Sequence, residues 1–440
     1  MKKHTGLLVG CLVVAGSAFA GNPMVPDVGM ADPHIRIFDG KAYLYATRDR
    51  DKDAKKFIMP DWHIWSSDDL IDWKHEATIL PTETYMGEST SCWATDCVEK
   101  NGKYYFYFSN GNTDTGVMVA DSPTGPFKDA LGRPLMAEDM MPTKEYDPSV
   151  LVDDDGSAYI IVGHHRDNDK TLYYAIAKLN EDMISLAEFP KEVKITGNVK
   201  VLGGNDKPTL HKKNGLYYLS AGSHYATSKD VYGPYVKRGS SGNNQYGLSS
   251  RAHGNYFDWN NQSFHTWCHF HLGKDVARYR ESYITYLHYR DNGEMVDDVA
   301  FLDKHFATGV GQYDATWDEI EAEWYMAAEG CRKTDLDDDG FQVVFTKPGA
   351  FLYYPNVEHL PANAMLSLHA ASANGGMIEV RENAVDGSLL GTCVVAASGG
   401  PDQFRNKTCL LKNGAGKKDL YLVLAEGGVS LDRFSFSVDE

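Results

Sequence analysis

The sequence has a deficit of basic residues, no C-x-x-C pair, and no long apolar run beyond its first twenty residues. Its 440 residues carry 43 Lys and Arg against 61 Asp and Glu, a formal net charge of −18. Such an acidic chain binds polyanions poorly, which argues against nucleic acid and anionic membrane surfaces as partners. The missing C-x-x-C pair argues against a structural zinc site, and the missing apolar run argues against membrane insertion. A composition of 42% apolar and 24% charged residues excludes a wholly disordered chain.

Aromatic residues, in contrast, are abundant. The chain contains 26 Tyr and 8 Trp. Flat aromatic rings fill β-sheet cores, and they also stack on the flat faces of sugars. Composition therefore permits a carbohydrate as the partner.

The first twenty residues have the pattern of a signal peptide. Lysines at positions 2 and 3 precede an apolar stretch over 6–16, and Ala18-Phe19-Ala20 has the form of a cleavage site. We expect residues 1–20 to be removed and the protein to be secreted or periplasmic. Lipoprotein anchoring at Cys11 is the weaker alternative, because the apolar run before it is very short.

Six cysteines remain after the leader. Export permits disulfides, and we expect Cys393 to pair with Cys409 because both lie in one small C-terminal region. Spacing leaves the other pairings open, including that of Cys92 with Cys97.

Five hairpin signatures recur at spacings near 50 residues. They read IRIFDGKAYLYA, CVEKNGKYYFYF, VLVDDDGSAYIIV, LHKKNGLYYLSA and YFDWNNQSFHTW, with predicted two-residue turns centred on Gly40, Gly102, Gly156, Gly215 and Asn261. Asp-Gly and Asn-Gly favour hairpins because both central residues of a type I′ turn need φ > 0. Regular β repeats without a helical period predict an all-β fold whose residues 21–307 form a β-propeller of five blades.

One residue stands eight or nine positions before each turn. These residues are Asp32, Trp93, Asp147, Asp206 and His253. Equal offsets in equivalent blades predict that the five side chains converge on the propeller axis. The alternative for each remains open: Asp before Pro forms turns, Trp fills cores, and a lone His is often structural.

Three converging carboxylates suit glycoside hydrolysis. One carboxyl group protonates the leaving oxygen, and another activates water or attacks directly. A third can raise the pKa of the acid through like-charge proximity. A wide central funnel leaves room for a water between the two groups, which favours inversion of the anomeric centre.

These motifs resemble glycoside hydrolase family 43, whose members are five-bladed β-propellers. The matching phrases, in order, are MADPHIRIFDGKAYLYAT, HIWSSDDLIDWKH, CWATDCVEKNGKYYFYFS, YDPSVLVDDDGSAYIIVG and HGNYFDW. The resemblance implies that Asp32 is the general base and that Asp147 orients the acid and modulates its pKa. It also implies that His253 helps to hold a central metal, often calcium, and that Arg280 contacts the modulator or the bound sugar. Trp93, as a member of the column of residues before the turns, is predicted to be a platform on which the sugar stacks.

The general acid departs from the family pattern, which has Glu, a small residue and Pro. Here Asp206, Lys207 and Pro208 occupy those positions. Asp206 is the predicted acid, with Glu88 and Glu145 as alternatives. Strand alternation predicts that the Lys207 side chain points away from Asp206.

Residues 315–440 predict a second domain, a β-sandwich of jelly-roll type. Its strand-like runs alternate with Gly-rich turns, and it resembles carbohydrate-binding module family 6. The resemblance implies a structural calcium held by Glu321, Glu323 and Asp432; surface carboxylates at strand ends are the alternative.

Together these patterns predict a secreted, exo-acting, inverting glycoside hydrolase that removes arabinofuranosyl or xylosyl units from polysaccharides or oligosaccharides. No organic cofactor is expected. The alternatives are an exo-β-1,3-galactanase of the same fold and a propeller that binds sugar without cutting it. The sugar, the linkage and the oligomeric state are not fixed by the sequence.

Overall fold

The computed structural model shows a chain built almost entirely from β-strands. It describes residues 21–141, 143–163, 174–196, 202, 207–242, 245–248, 253–270, 277–336 and 340–438. The predicted signal peptide and the predicted acid Asp206 lie outside these residues.

Five sheets follow one another along the first domain. Blade one contains β1 (Met30–Phe38), β2 (Lys41–Arg48), β3 (Trp62–Ser67) and β4 (Lys74–Ile79), and blade two contains β5 (Cys92–Lys100), β6 (Lys103–Asn110), β7 (Asp114–Ala120) and β8 (Lys128–Asp129). Blade three contains β9 (Ser149–Val152), β10 (Ala158–Val162), β11 (Ala175–Lys178) and β12 (Lys191–Glu192), and blade four contains β13 (Ile195–Thr196), β14 (Pro208–Lys213), β15 (Leu216–Ala221), β16 (His224–Ser228) and β17 (Tyr235–Ser240). Blade five contains β18 (Gly254–Trp259), β19 (Gln262–Phe270), β20 (Arg280–Tyr289) and β21 (Met295–Asp297). The strands of each blade lie side by side in chain order, except that β13 pairs with the outer strand β17.

The first strands of the blades form a closed ring. Strand β1 contacts β5, and the contacts continue through β9, β14 and β18 back to β1. The Asn255 side chain joins the last blade to the first, since it accepts from Ile35 N at 2.8 Å and donates to Ile35 O at 2.9 Å. The predicted five-bladed propeller is thereby confirmed.

Four of the five predicted hairpin turns contain two residues with positive φ. These are Asp39-Gly40, Asn101-Gly102, Asn214-Gly215 and Asn260-Asn261, as a type I′ turn requires. In blade three the prediction of a two-residue turn is wrong, because residues 153–157 connect β9 to β10. There Asp153 N donates to Ser157 O, and the Asp155 side chain accepts from Ser157 N at 2.8 Å. The aspartates make their own local turn, and Gly156 alone supplies a positive φ within it.

A short helix, α1 (Val299–His305), which no sequence pattern predicted, leads from the propeller into two further sheets. Their strands are β22 (Tyr313–Asp314), β23 (Ile320–Glu321), β24 (Ala327–Glu329), β25 (Cys331–Asp335), β26 (Phe341–Phe345), β27 (Phe351–Leu360), β28 (Asn363–Ala371), β29 (Gly376–Glu382), β30 (Leu389–Val395), β31 (Arg405–Lys412), β32 (Gly416–Gly427) and β33 (Ser430–Val438). One sheet has the order β22-β27-β32-β29-β30 and the other β25-β26-β33-β28-β31. The predicted β-sandwich is confirmed. Within the described ranges, no helix is long and apolar enough to span a membrane.

The predicted disulfide is present and joins the two sheets of the sandwich. Cys393 lies in β30 and Cys409 in β31, with their Cα atoms 5.1 Å apart. Cys92 and Cys97, whose pairing the sequence left open, are both buried free thiols.

The two domains share one hydrophobic core. Buried side chains of blades one and five form a single cluster with those of the sandwich. Polar contacts cross the same junction: Tyr286 and Tyr313 share a 2.9 Å hydrogen bond, and Gln262 Nε2 donates to the Glu323 and Tyr325 carbonyls at 2.7 and 2.8 Å. The sandwich is therefore fixed against blade five.

Candidate active site

The N-terminal ends of the inner strands meet around the propeller axis. Asp32 and Trp93 lie near the starts of β1 and β5, Asp147 lies two residues before β9, and His253 directly precedes β18. Asp32 and Asp147 are each 2% exposed. Asp32 contacts His253 directly, and the Lys207 charge interacts with both aspartates. These members of the predicted column therefore share one electrostatic site.

Asp32 and Asp147 have unusual backbone conformations. Their φ angles are 51° and 59°, in the left-handed region, although each precedes a proline. In blade one the strand pairing shifts register between Ala31 and His34, which accommodates Asp32. Such conformations cost of order 1–3 kcal/mol and persist where the surrounding structure enforces them, often in active sites. Their burial and strain favour a functional role over simple turn formation.

The Asp32 carboxylate is held through a single oxygen. Its Oδ1 accepts hydrogen bonds from Arg280 Nη1 and His253 Nδ1, both at 2.7 Å, and lies 3.8 Å from Cys268 Sγ. Burial acts to raise the pKa of Asp32, but Arg280, His253 and Lys207 together outweigh it and lower this pKa. Asp32 is thus ionised at ordinary pH, the form that can accept a proton.

Arg280 is clamped between two carboxylates. Its Nε and Nη2 atoms donate to the two Asp49 oxygens at 2.9 and 3.0 Å, while Nη1 donates to Asp32. The bidentate pair fixes the guanidinium plane, and the Phe57 ring lies 4.8 Å from it. This geometry makes Arg280 a positioning residue for Asp32; a sugar contact stays a prediction. No sequence pattern marked Asp49, because it follows β2 and belongs to no repeat.

Trp93 belongs to an aromatic cluster beside these charges. It is half-buried, with its ring centroid 5.8 Å from Tyr146 and 6.1 Å from Phe57, in edge contacts. Phe57 also lies 6.2 Å from Phe270. Tyr146 precedes Asp147, so the cluster connects the surroundings of both aspartates. The role of Trp93 as a sugar platform stays a prediction.

The alternative acids differ in their surroundings. Glu145 is fully buried, and its oxygens accept from the backbone N–H groups of Met141 at 2.7 Å and Asp139 at 3.3 Å. It therefore stabilises the 139–141 turn. Glu88 is exposed. Assignment of the acid to Asp206 stays a prediction.

Lys207 is buried near the propeller axis, and the prediction that it points away from Asp206 involves a residue outside the described ranges. It is 1% exposed, and its Nζ lies 2.9 Å from His34 Nδ1 and 3.2 Å from the Thr95 carbonyl. Strand β14 begins only at Pro208. Lys207 precedes the regular strand, so the alternation of side chains does not apply to it.

The predicted calcium residues of the second domain lie near one another. Glu321, Glu323 and Asp432 line one cavity at the domain junction. Burial and the charges of Glu319 and Asp432 raise the pKa of Glu321 to about 7. Among the described residues, Glu323 Oε2 is buried without a hydrogen-bond partner.

Among the described residues, neither predicted calcium position is a complete metal site formed by side chains alone. In the part of the chain that the structure describes, no three His, Cys, Asp or Glu side chains are arranged to hold a metal ion. At the propeller centre, His253 Nδ1 already contacts Asp32.

Comparisons with known proteins agree with this architecture. The model of Glycosyl hydrolases family 43 matches residues 20–295, and that of Carbohydrate binding module (family 6) matches residues 321–438. An arabinoxylan arabinofuranohydrolase of Paenibacillus polymyxa is 25% identical over 94% of this chain and 74% of its own length. A xylosidase/arabinosidase of Bacteroides ovatus is 33% identical over 49% of this chain and 79% of its own.

Solved structures show the same fold. A Bacillus subtilis arabinoxylan arabinofuranohydrolase of glycoside hydrolase family 43 covers 96% of this chain and 99% of its own, with a TM-score of 0.58 and 21% identity. A Xanthomonas citri family 43 enzyme complexed with xylotriose covers 63% of this chain and 92% of its own, with a TM-score of 0.54 and 27% identity. Because the family model spans more than half of the 440 residues, the chain belongs to glycosyl hydrolase family 43 and is a glycoside hydrolase with a C-terminal module of family 6.

Proposed function

We propose that the protein is an exo-acting, inverting enzyme that removes α-L-arabinofuranosyl or β-D-xylosyl units from plant-type polysaccharides or oligosaccharides. The observation that carries the proposal is the ionised, buried Asp32 carboxylate, anchored by Arg280 and His253 at the propeller axis. The names of the Paenibacillus polymyxa and Bacteroides ovatus relatives support the choice of sugars.

In the proposed mechanism, Asp32 accepts a proton from a water that attacks the anomeric carbon. Both short contacts to Asp32 end on Oδ1, so we assign the proton-accepting role to Oδ2. As the new C–O bond forms, the glycosidic C–O bond breaks on the opposite face, and Asp206 gives its proton to the leaving oxygen. The product is therefore the anomer opposite to the substrate. Asp147 modulates the acid.

A panel of p-nitrophenyl glycosides tests the activity. It contains the α-L-arabinofuranoside, the β-D-xyloside and the β-D-galactofuranoside, the last because a 29% identical Aspergillus niger relative is named a β-D-galactofuranosidase. Oligosaccharides of arabinoxylan and of β-1,3-galactan complete the panel. We expect release from the first two glycosides only. Sugar binding without release from any substrate would favour a non-catalytic propeller.

Proton NMR of the first product tests the stereochemistry. Inverted anomeric signals are expected at early times, before mutarotation. Retained configuration would overturn the role of Asp32 as a water-activating base.

We further propose a structural calcium in the C-terminal module, to which Glu321, Glu323 and Asp432 would contribute oxygen ligands while backbone carbonyls or waters complete the set. Oxygen ligands suit this ion, and the buried Glu323 Oε2 offers one. The ion would neutralise crowded carboxylates and take no part in hydrolysis.

We also propose that the protein is exported and that its signal peptide is cleaved before Gly21. N-terminal sequencing of the protein from the culture medium or periplasm should give Gly21 as its first residue. An uncleaved N-terminus in the cytoplasm would contradict it.

A further inference from the structure

Lys207 brings a buried positive charge to the propeller axis. Its Nζ donates to the Thr95 carbonyl at 3.2 Å and lies 2.9 Å from His34 Nδ1. Its charge interacts with Asp32, Asp96 and Asp147, one from each of the first three blades. A buried ammonium is costly unless anions and acceptors surround it, so this environment is built around a cation.

The contact with His34 defines the state of that imidazole. An ammonium can only donate, so His34 Nδ1 must accept, and the proton resides on Nε2. That Nε2 atom lies 3.2 Å from Asp96 Oδ1. Burial, with the charges of Lys207 and Arg36, lowers the pKa of His34 well below its usual value, which keeps the ring neutral.

Asp96 is in turn paired with Arg36. The Arg36 Nε and Nη2 atoms donate to its two oxygens at 3.0 and 2.7 Å. Lys207, His34 and Asp96 thus form a continuous chain of polar contacts across the axis. His34 follows Asp32 by two residues on β1, so the same chain supports the backbone that aims the base.

The described residues at this centre do not suit a metal ion. His253, the ligand that the family resemblance implied, donates from Nδ1 to Asp32 at 2.7 Å, so only its Nε2 atom is left for a metal. Three side-chain cations, Lys207, Arg280 and Arg36, already face the carboxylates of Asp32 and Asp96. A divalent ion placed among them would meet the repulsion of the Lys207 ammonium.

We propose that the Lys207 ammonium is the resident cation of the propeller axis in this chain. It acts as a positioning residue that holds the carboxylates of Asp32 and Asp147 in place by charge attraction, so that hydrolysis needs no metal at the centre. This inference rests on the proposed glycosidase function for its activity readout.

Chemical rescue tests the inference. Lys207→Ala removes a fragment of the size of n-propylammonium, whereas Lys207→Met removes the charge but still occupies the space. We expect both variants to lose about 10- to 100-fold in kcat/KM on an aryl glycoside, the range typical of one lost charged hydrogen bond. n-Propylammonium should restore activity to K207A and not to K207M. The neutral isostere 1-propanol should restore neither, and chelation should leave the wild-type kcat/KM unchanged well below the unfolding temperature.

Thermal unfolding provides a readout that does not depend on catalysis. n-Propylammonium should raise the Tm of K207A and leave those of K207M and the wild type unchanged. Equal rescue of K207A by 1-propanol would show that the volume of the side chain matters and its charge does not. If chelation abolishes the wild-type activity and calcium restores it, a metal is present at the centre. Either result overturns the inference, and so does full activity in K207A. If the wild type hydrolyses nothing, the proposed function fails, while the Tm of K207A still tests Lys207. If K207A does not fold without ligand, recovery of its folding by n-propylammonium alone is the supporting result.

Discussion

Asp32→Asn is the most direct perturbation of the proposed base. The amide keeps an oxygen at Oδ1, where Arg280 and His253 both donate at 2.7 Å. The side chain should therefore keep its orientation and lose its ability to accept a proton. General base catalysis contributes about 10²–10⁴-fold. We expect that loss in kcat/KM, which corresponds to about 3–5 kcal/mol of transition-state stabilisation.

The stability of this variant should change little. The hydrogen bonds from Arg280 and His253 would end on a neutral amide oxygen in place of a carboxylate, a loss of about 1 kcal/mol each. The lower cost of burying an amide in place of a carboxylate opposes that loss, and Arg280 retains its bidentate partner Asp49. We therefore expect a Tm within a few degrees of the wild type, so that lost activity reports on chemistry.

Azide distinguishes between two explanations for lost activity in Asp32→Asn, the loss of the general base and a distortion of the active site. It is already an anion, so it can attack the anomeric carbon without deprotonation and give a glycosyl azide of inverted configuration. Azide should accelerate D32N on an aryl glycoside, and the loss in D32N should be similar for good and poor leaving groups. Asp49→Asn is the matched control, because it also removes a buried carboxylate from Arg280 and should show no azide rescue. Activity of D32N within about tenfold of the wild type would refute the assignment of the base.

Four further predictions follow from individual contacts. Arg280→Met should lower the free energy of unfolding by about 3–5 kcal/mol in urea titrations, because it leaves buried carboxylates without their cation. Arg280→Lys should restore more of the stability than of kcat/KM, because one ammonium cannot reproduce the several fixed hydrogen bonds of the guanidinium. Replacing Cys393 and Cys409 by Ser should destabilise the C-terminal module by about 3 kcal/mol in calorimetry, given the 16-residue separation, and leave the kinetics on aryl glycosides unchanged. Burial and the Lys333 charge lower the pKa of His288 from 6.5 to about 4. Neutral His288 therefore contributes about 3 kcal/mol to the free energy of unfolding above pH 6.5, and this contribution is lost as the pH falls towards 4. A free energy of unfolding that does not change over this pH range, or that falls equally steeply in His288→Gln, would contradict the prediction. Chelation should lower the Tm of the C-terminal module and leave kcat unchanged. If chelation lowers the Tm of Glu323→Gln by a similar amount, the calcium site proposed at Glu323 is wrong.

The turn chemistry explains why the fold was predictable. Positive φ at Asn-Gly and Asp-Gly is a local requirement, so the sequence alone marked the hairpins and their spacing of about 50 residues. The fixed distance from each turn also identified Asp32 and Asp147, because β-strands have a constant rise per residue. Blade three was mispredicted where local rules compete, since three successive aspartates favour a longer turn.

The sequence by itself therefore determined the five-bladed architecture, the sandwich, the Cys393–Cys409 pair and the position of Asp32 near the axis. Only the tertiary structure decided which side chains hold that carboxylate. Arg280 and Asp32 are 248 residues apart, and they meet because ring closure brings blade five against blade one. Lys207 faces the axis for a related reason: it lies outside the regular strand, where the packing of neighbouring blades, and not strand alternation, sets the direction of a side chain.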